Sequence, residues 1–303
     1  MSLNDLLSTP QTTRFAPSPT GLLHLGHAYA AIVAHDLART SGGRFYLRIE
    51  DIDQTRSRRA FEQAIYEDLA WLGLSWDEPV RRQSEHVQTY RQFLDMLSET
   101  GLIYPCFCTR RDIEHEIAQI ARAPHDIANG PEGPLYPGTC RDLTERQIHR
   151  HLSTGREPAG RLNIKAVLDR FSCGLAQLSF FEWGAGHHGE HGEIAVDPAL
   201  FGDIVLSRRD IGVSYHLAVV VDDHMQGVTL VSRGEDLFPA THIQRVLQFV
   251  FRFDRPAYFH HQLVRDAAGR RLAKRDKDLT IKSLRESGVS PDHIRRRLGL
   301  PIV

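Results

Sequence analysis

A chain of 303 residues, 41% hydrophobic and 25% charged, has room for a large buried core and for one catalytic domain carrying an insertion. The formal net charge of -1 lacks the basic excess of a general nucleic-acid binder, so RNA contact has to come from local patches; Arg270, Arg271, Lys274, Arg275, Lys277 and Arg295 to Arg297 are the candidates. The start Met-Ser-Leu-Asn-Asp-Leu-Leu is not a signal peptide and no apolar run is long enough to span a membrane, so a cytoplasmic protein is expected, in which four cysteines suggest thiols or a metal before disulfides.

In chain order, Thr12 to Ala16 can start a strand and Leu25 to Ala38 a helix, with Pro-Ser-Pro-Thr-Gly turning between them: a unit of the nucleotide-binding kind. Phe45 to Ile49 reads as a second strand ending at Glu50 and Asp51. Phe61, Ile65 and Leu69, four apart, predict a helix over about 58–72. Ser84 is expected to cap the next helix, whose apolar face is Tyr90, Phe93, Leu94 and Leu97 and whose end is Gly101. This alternation predicts a parallel sheet covered on both faces. From about Pro105 to Pro198 the texture changes: 122–140 is rich in Pro and Gly, 184–193 in Gly and His, and neither predicts a regular core element. The segment reads as an insertion splitting the sheet, and Cys173 within it reads as a core residue. Apolar sequence resumes at Ile204 to Leu206, at His216 to Val221, whose continuous stretch is strand-sized, and at Val228 to Val231. A helix near 241–251 should bury Ile243, Val246, Leu247 and Val250; two short helices follow, capped by Thr280 and by Ser290 with Pro291 in first position.

A nucleotide site needs a backbone that phosphates can approach and positive charge to face them. Gly21 and Gly26 remove side chains where a nucleotide would lie, and the following helix aims its first amides at anionic oxygens. His24 and His27, three apart, project from one side of that helix start. Lys274, with Arg271 beside it on a Gly-containing basic loop, can supply the charge. Cys106-Phe107-Cys108 and Cys140 can give three thiolates to a tetrahedral Zn²⁺; the fourth ligand is open between Tyr136 and His125, and buried reduced thiols are the plain alternative. His187, His188 and His191 have ligand-like spacing but sit among glycines, which predicts an exposed loop without a metal.

Arg14-Phe15-Ala16-Pro17-Ser18-Pro19-Thr20-Gly21-Leu22-Leu23-His24-Leu25-Gly26-His27 resembles the HIGH signature of class I aminoacyl-tRNA synthetases in its glutamyl form. Gly269-Arg270-Arg271-Leu272-Ala273-Lys274-Arg275 resembles the KMSKS loop, with Arg271 for the first lysine and Ala273 for serine, so only Lys274 is carried over. Over essentially its whole length the chain is similar to the glutamyl-queuosine tRNA(Asp) synthetase family, truncated relatives of glutamyl-tRNA synthetase. The resemblance implies an α/β fold of the Rossmann type, split by a zinc-containing insertion: 1–104 and 199–261 as the two halves, 105–198 as the insertion, 262–303 as the KMSKS-like loop and a short helical tail. With 28 residues after Arg275, no anticodon-binding domain is expected.

It further implies ATP-dependent activation of L-glutamate, with Mg²⁺, and transfer to queuosine at the wobble position of tRNA(Asp) by a monomer. Arg14, Ala16, Ser18, Glu50, Tyr215 and Arg233 would hold glutamate; His24, Gly26, His27 and Lys274 would hold ATP, with His24, His27 and Lys274 catalytic. One zinc per chain would sit on Cys106, Cys108, Tyr136 and Cys140. The rivals are a truncated glutamyl-tRNA synthetase charging the tRNA 3′ end and a catalytically silent paralogue that binds tRNA or glutamate.

Overall fold

Strand Thr12–Phe15 pairs in parallel with Arg44–Ile49, Thr13 opposite Phe45 and Phe15 opposite Leu47, and the short strand Arg81–Arg82 extends the sheet beyond it. Arg44–Ile49 is buried at five successive positions, the pattern of a parallel strand covered on both faces. The computed structural model describes residues 3–120, 128–210, 212–264 and 280–301. A second sheet runs Leu230–Gly234, Ala257–His261, Ser179–Glu182, Gly192–Ala195, parallel except for its last pair. The two sheets meet where the Thr12 amide donates to Thr229 Oγ1 (2.9 Å) and the Thr229 amide to the Thr12 carbonyl (3.0 Å). Strand order therefore reverses direction between Thr12–Phe15 and Leu230–Gly234. In doubly wound folds that switch point, at the carboxyl ends of the strands, is where ligands bind.

Helix Leu25–Thr40 covers the first sheet with Leu25, Ala28, Ala31, Ile32 and Ala34, whose small side chains let it lie close to Phe15, Phe45 and Leu47. Helices Ile281–Glu286 and Pro291–Arg297 add Ile281, Leu284 and Ile294 to the same core. Both start as expected: Thr280 Oγ1 accepts from the Ser283 amide at 3.1 Å and Ser290 Oγ from the His293 amide at 3.2 Å. The second half is centred on helices Tyr215–Met225 and Ala240–Phe251.

Several expectations are corrected. The run taken as strand-sized at His216 to Val221 is helical, and residues 217–223 are all buried, so no polar face betrays the helical period. Ser84 does not cap a long helix; it lies in the 3₁₀ turn Gln83–His86, where its amide and hydroxyl both donate to Asp51, and His86 precedes helix Val87–Glu99. Cys173 is exposed, because it lies on the outer face of helix Ile164–Leu175. Arg295, a candidate for phosphate contact, is 6% exposed and paired with Asp36 at 2.7 and 3.1 Å, while Arg296 and Arg297 are exposed.

Segment 105–198 also does not keep to itself. It contributes Ser179–Glu182 and Gly192–Ala195 to the second sheet. Its own antiparallel sheet takes Ile103–Cys106 and Val205–Ser207 on either side of Ala159–Leu162. Pro and Gly texture reports loops, and the partner of a strand is not written in it. Among the described residues no helix is long and apolar enough to cross a membrane.

Candidate active site

Four of the six residues expected to hold glutamate converge at the sheet junction. Arg14, near the carboxyl end of Thr12–Phe15 and 4% exposed, donates through Nε to Asp223 Oδ1 (2.9 Å) and through Nη1 to the Ser232 carbonyl (3.2 Å). Asp223 also accepts from Arg48 Nη2 at 2.8 Å. Arg48 donates to Gln226 at 2.9 Å, and its Nε, without a hydrogen bond, lies 3.8 Å from both Glu50 and Asp222. Glu50 follows strand Arg44–Ile49, and its amide donates to the Pro17 carbonyl (3.0 Å), which ties it to the loop after Phe15. Burial pushes the Glu50 carboxyl up to about 7 against the pull of Arg48 and Arg14. A substrate ammonium beside it would draw it back to the carboxylate form.

Arg233, on Leu230–Gly234, is 6% exposed and held by His260 Nε2 (3.0 Å), Gln244 Oε1 (2.8 Å) and Thr241 Oγ1 (2.7 Å). Tyr215 opens the helix that Ser214 caps and is 37% exposed; burial of its hydroxyl end holds its pKa above the usual value, with Arg233, Glu50, Arg14 and Asp223 all in its field. Two cations and two carboxylates thus face one tyrosine, and of the carboxylates Asp223 is already bound by Arg14 and Arg48. Of the remaining two, Ala16 is half-buried and Ser18 is exposed, its hydroxyl 3.4 Å from that of Thr20.

His24 and His27 lie ring against ring, centroids 3.8 Å apart and planes tilted by 32°, in a reciprocal cap at the start of Leu25–Thr40. His24 Nδ1 accepts from the Gly26 amide (3.1 Å) and His27 Nδ1 from the His24 amide (3.2 Å), so each neutral ring carries its proton on Nε2. Gly26 permits this: a Cβ there would stand 3.1 Å from His24 Cε1. Thr280 bridges to His24, and the Ile281 amide donates to the Leu23 carbonyl at 2.8 Å. The chain that leaves strand Ala257–His261 therefore returns beside the histidine pair. Lys274, on the stretch between, lies outside the described residues, as do Arg270, Arg271, Arg275, Lys277 and His125.

Cys106, Cys108 and Cys140 cluster with their sulfurs within 4.8 Å of one another, the only such group of potential metal ligands among the described residues. Cys108 and Cys140 are 3.5 Å apart, and the Tyr136 hydroxyl is 3.5 Å from Cys106 and 3.4 Å from Cys108. Ligands at tetrahedral zinc distances would lie about 3.8 Å apart for two sulfurs and about 3.5 Å for sulfur and oxygen. The residues present fit the metal. Hydrogen bonding from Cys140 lowers the Cys106 thiol to about 4 despite burial, while the Cys140 thiol and the Tyr136 hydroxyl are raised, the shared hydrogen bonds favouring ionisation of one thiol of the group over the others. Arg161 stacks 3.9 Å over Tyr136, and Arg209 donates to the Cys106 and Cys108 carbonyls at 2.9 and 3.1 Å. A cavity of about 670 Å³ runs from this cluster to Tyr215 and His216. His187, His188 and His191 are exposed, with His191 Nδ1 on the Gly184 carbonyl (3.2 Å).

Sequence reasoning missed Arg48, Asp222, Asp223, Glu182 and His260. The signal for the two aspartates was present, as adjacent acids closing an apolar run. The others carry no local mark.

The family model for class I tRNA synthetases (E and Q), catalytic domain, matches residues 11–174 and 184–301. A glutamyl-Q tRNA(Asp) synthetase of Rhodobacter capsulatus is 50% identical, over 95% of this chain and 99% of its own length. That of Nitratidesulfovibrio vulgaris is 43% identical, over 95% of this chain and 85% of its own. Among solved structures, a glutamate tRNA ligase from Elizabethkingia meningosepticum in complex with its amino acid superposes with a TM-score of 0.69 at 28% identity, over 88% of this chain; the chain spans 52% of that protein.

Proposed function

The chain belongs to the class I tRNA synthetases (E and Q), and on that footing we propose that it joins glutamate, activated by ATP, to queuosine in tRNA(Asp). The observation that carries the glutamate reading is the charge pattern around Tyr215: with Asp223 taken up by Arg14 and Arg48, Arg14 and Arg233 stand against Glu50, the complement of a substrate with two carboxylates and one ammonium. Arg14 already shares a carboxylate with Arg48, so it meets glutamate preorganised and buried, through donors not spent on Asp223.

ATP, entering with Mg²⁺, would lie along the amides at the start of Leu25–Thr40, over Gly26, with His24 and His27 donating from Nε2. A carboxylate oxygen of glutamate attacks the α-phosphorus and pyrophosphate leaves; an acceptor hydroxyl then attacks the acyl carbon, losing its proton as AMP departs. Lys274 is assigned to the charge that grows on pyrophosphate. Zinc on Cys106, Cys108, Tyr136 and Cys140 would supply no chemistry; it would fix the loops that wall the cavity leading to Tyr215. Queuosine as acceptor is supported by the 50% and 43% identity to relatives named for it, against 35% and 36% to two glutamate–tRNA ligases.

The deciding assay offers ATP and labelled glutamate to tRNA(Asp) with and without queuosine. Label should require queuosine and survive removal of the 3′ CCA end, and glutamate-dependent ATP–pyrophosphate exchange should proceed without tRNA. Label on the terminal adenosine transfers the reading to a 3′-charging ligase, and absence of exchange under all conditions to a silent paralogue.

A further inference from the structure

Behind Arg233 lies a buried chain of polar groups that the adenylate chemistry does not use. Glu182, at the end of strand Ser179–Glu182, is fully buried, as is the His260 side chain on the neighbouring strand. Glu182 Oε2 lies 2.5 Å from His260 Nδ1, and Glu182 Oε1 accepts from the amides of His260 and Gly184, each at 2.8 Å. The far nitrogen of the ring, Nε2, stands 3.0 Å from Arg233 Nε. A guanidinium can only donate, so Nε2 must accept and the ring proton must sit on Nδ1, facing the carboxylate. Gly184 makes the packing possible, since a Cβ there would collide with the His260 backbone. Glu182 also falls between the two stretches matched by the family model, 11–174 and 184–301.

We infer that Glu182 and His260 are positioning residues that hold Arg233 in register for a carboxylate of the amino-acid substrate, by locking the imidazole in the tautomer whose Nε2 accepts from the guanidinium. With Nε on His260, one Nη1 donor on Gln244 and one Nη2 donor on Thr241, one donor remains on each terminal nitrogen, a pair suited to a carboxylate. This rests on Arg233 being a glutamate contact, as proposed above.

Protonation of Glu182 undoes the arrangement. A carboxylic acid donates to Nδ1, the ring proton moves to Nε2, and two N–H donors confront each other across the His260–Arg233 contact. Burial raises the Glu182 carboxyl to about 7, against the pull of the His260 and Gly184 amides, Arg233 and His191. Burial likewise drives His260 well below the usual imidazole range, with Arg233, His261 and Arg14 adding to the effect and Asp236 opposing it, so the ring stays neutral. The relay is thus set above neutral pH and lost below it.

Glu182→Gln tests this with little change in volume, because its amide donates to Nδ1 and enforces the wrong tautomer. In ATP–pyrophosphate exchange at pH 8 the KM for glutamate should rise roughly 10-fold, the loss of about one hydrogen bond to a charged group, while the KM for ATP stays within about twofold. In the wild type the KM for glutamate should climb as pH falls through about 7, with Glu182 and Glu50 both contributing, and in Glu182→Gln only the shallower climb due to Glu50 should remain. Equal losses in both KM values and in melting temperature, or no change in any, would overturn the relay. Should the variant fail to fold, ¹⁵N-histidine spectra of the wild-type protein decide: His260 must carry its proton on Nδ1 at pH 8, and a proton on Nε2 sinks the proposal. Arg233→Ala separates the two layers. If it leaves the KM for glutamate unchanged, the substrate reading of Arg233 fails and the relay with it; if it raises that KM while Glu182→Gln does not, the relay alone fails.

Discussion

Asp68, on helix Arg59–Trp71, is fully buried, and neither of its carboxylate oxygens has a hydrogen-bond partner. The nearest cation, Arg285, stands 3.6 Å away and is shared with Glu67. Burial therefore raises the Asp68 carboxyl to about 6 in spite of Arg285. An unfolded aspartate titrates near 3.9, so the folded state binds this proton more tightly. The group destabilises the fold above about pH 6, and stability rises as pH falls from there toward 4. Asp68→Asn should accordingly stabilise the protein at pH 8 by on the order of 1–3 kcal/mol, with the gain gone near pH 4. Thermal melts at both pH values check it; a gain equal at the two would place its origin in packing. Contrast Gly26, whose missing side chain is what lets His24 fold back onto its own helix.

At the scale of elements, the first half was legible because its elements are two-faced. Helix Arg59–Trp71 shows Ile65 and Leu69 inside and, Asp68 apart, its charged residues toward the outside, and the caps at Thr280 and Ser290 follow from side chains that bond the next turn. Helix Tyr215–Met225 was not legible, since a helix buried all round has no period to read. Nor could sequence tell that Arg14 meets its partner Asp223 across 209 positions. The cysteine cluster lies between these cases: the pair in one turn was visible, whereas the approach of Tyr136 depends on Cys140 being brought back by the chain between, the Cys140 amide donating to the tyrosine hydroxyl at 2.9 Å. About one zinc per chain is expected, abolished in a Cys106→Ser, Cys108→Ser double variant. Tyr136→Phe should release zinc to a chelator faster than wild type and His125→Ala should not. The reverse order would move the fourth ligand to His125.

For the molecule as a whole, helix Tyr215–Met225 fastens the two half-sheets together through adjacent carboxylates. Asp222 accepts from Arg81 Nε (2.8 Å), Gln83 (2.8 Å) and the Tyr90 hydroxyl (2.8 and 2.9 Å), while Asp223 takes Arg14 and Arg48 from the first two strands. The same side chains that frame the candidate glutamate site thus join the halves, and a shift between halves would displace Arg14 relative to Arg233. Burial would raise the Asp223 carboxyl, yet Arg14 and Arg48 outweigh it and hold its pKa below the ordinary value. Its stabilising effect is therefore complete above the unfolded value of about 3.9 and is lost as pH falls through the lower folded value. Asp223→Ala strands two buried guanidinium groups, Arg14 at 4% and Arg48 at 0% exposure, and should cost about 3–5 kcal/mol at pH 7. Urea unfolding at pH 7 and at pH 3 measures this, the gap between wild type and variant narrowing in acid. A difference below about 1 kcal/mol at pH 7 would mean that apolar packing alone holds the halves, since deleting a working buried pair is expected to exceed that several-fold.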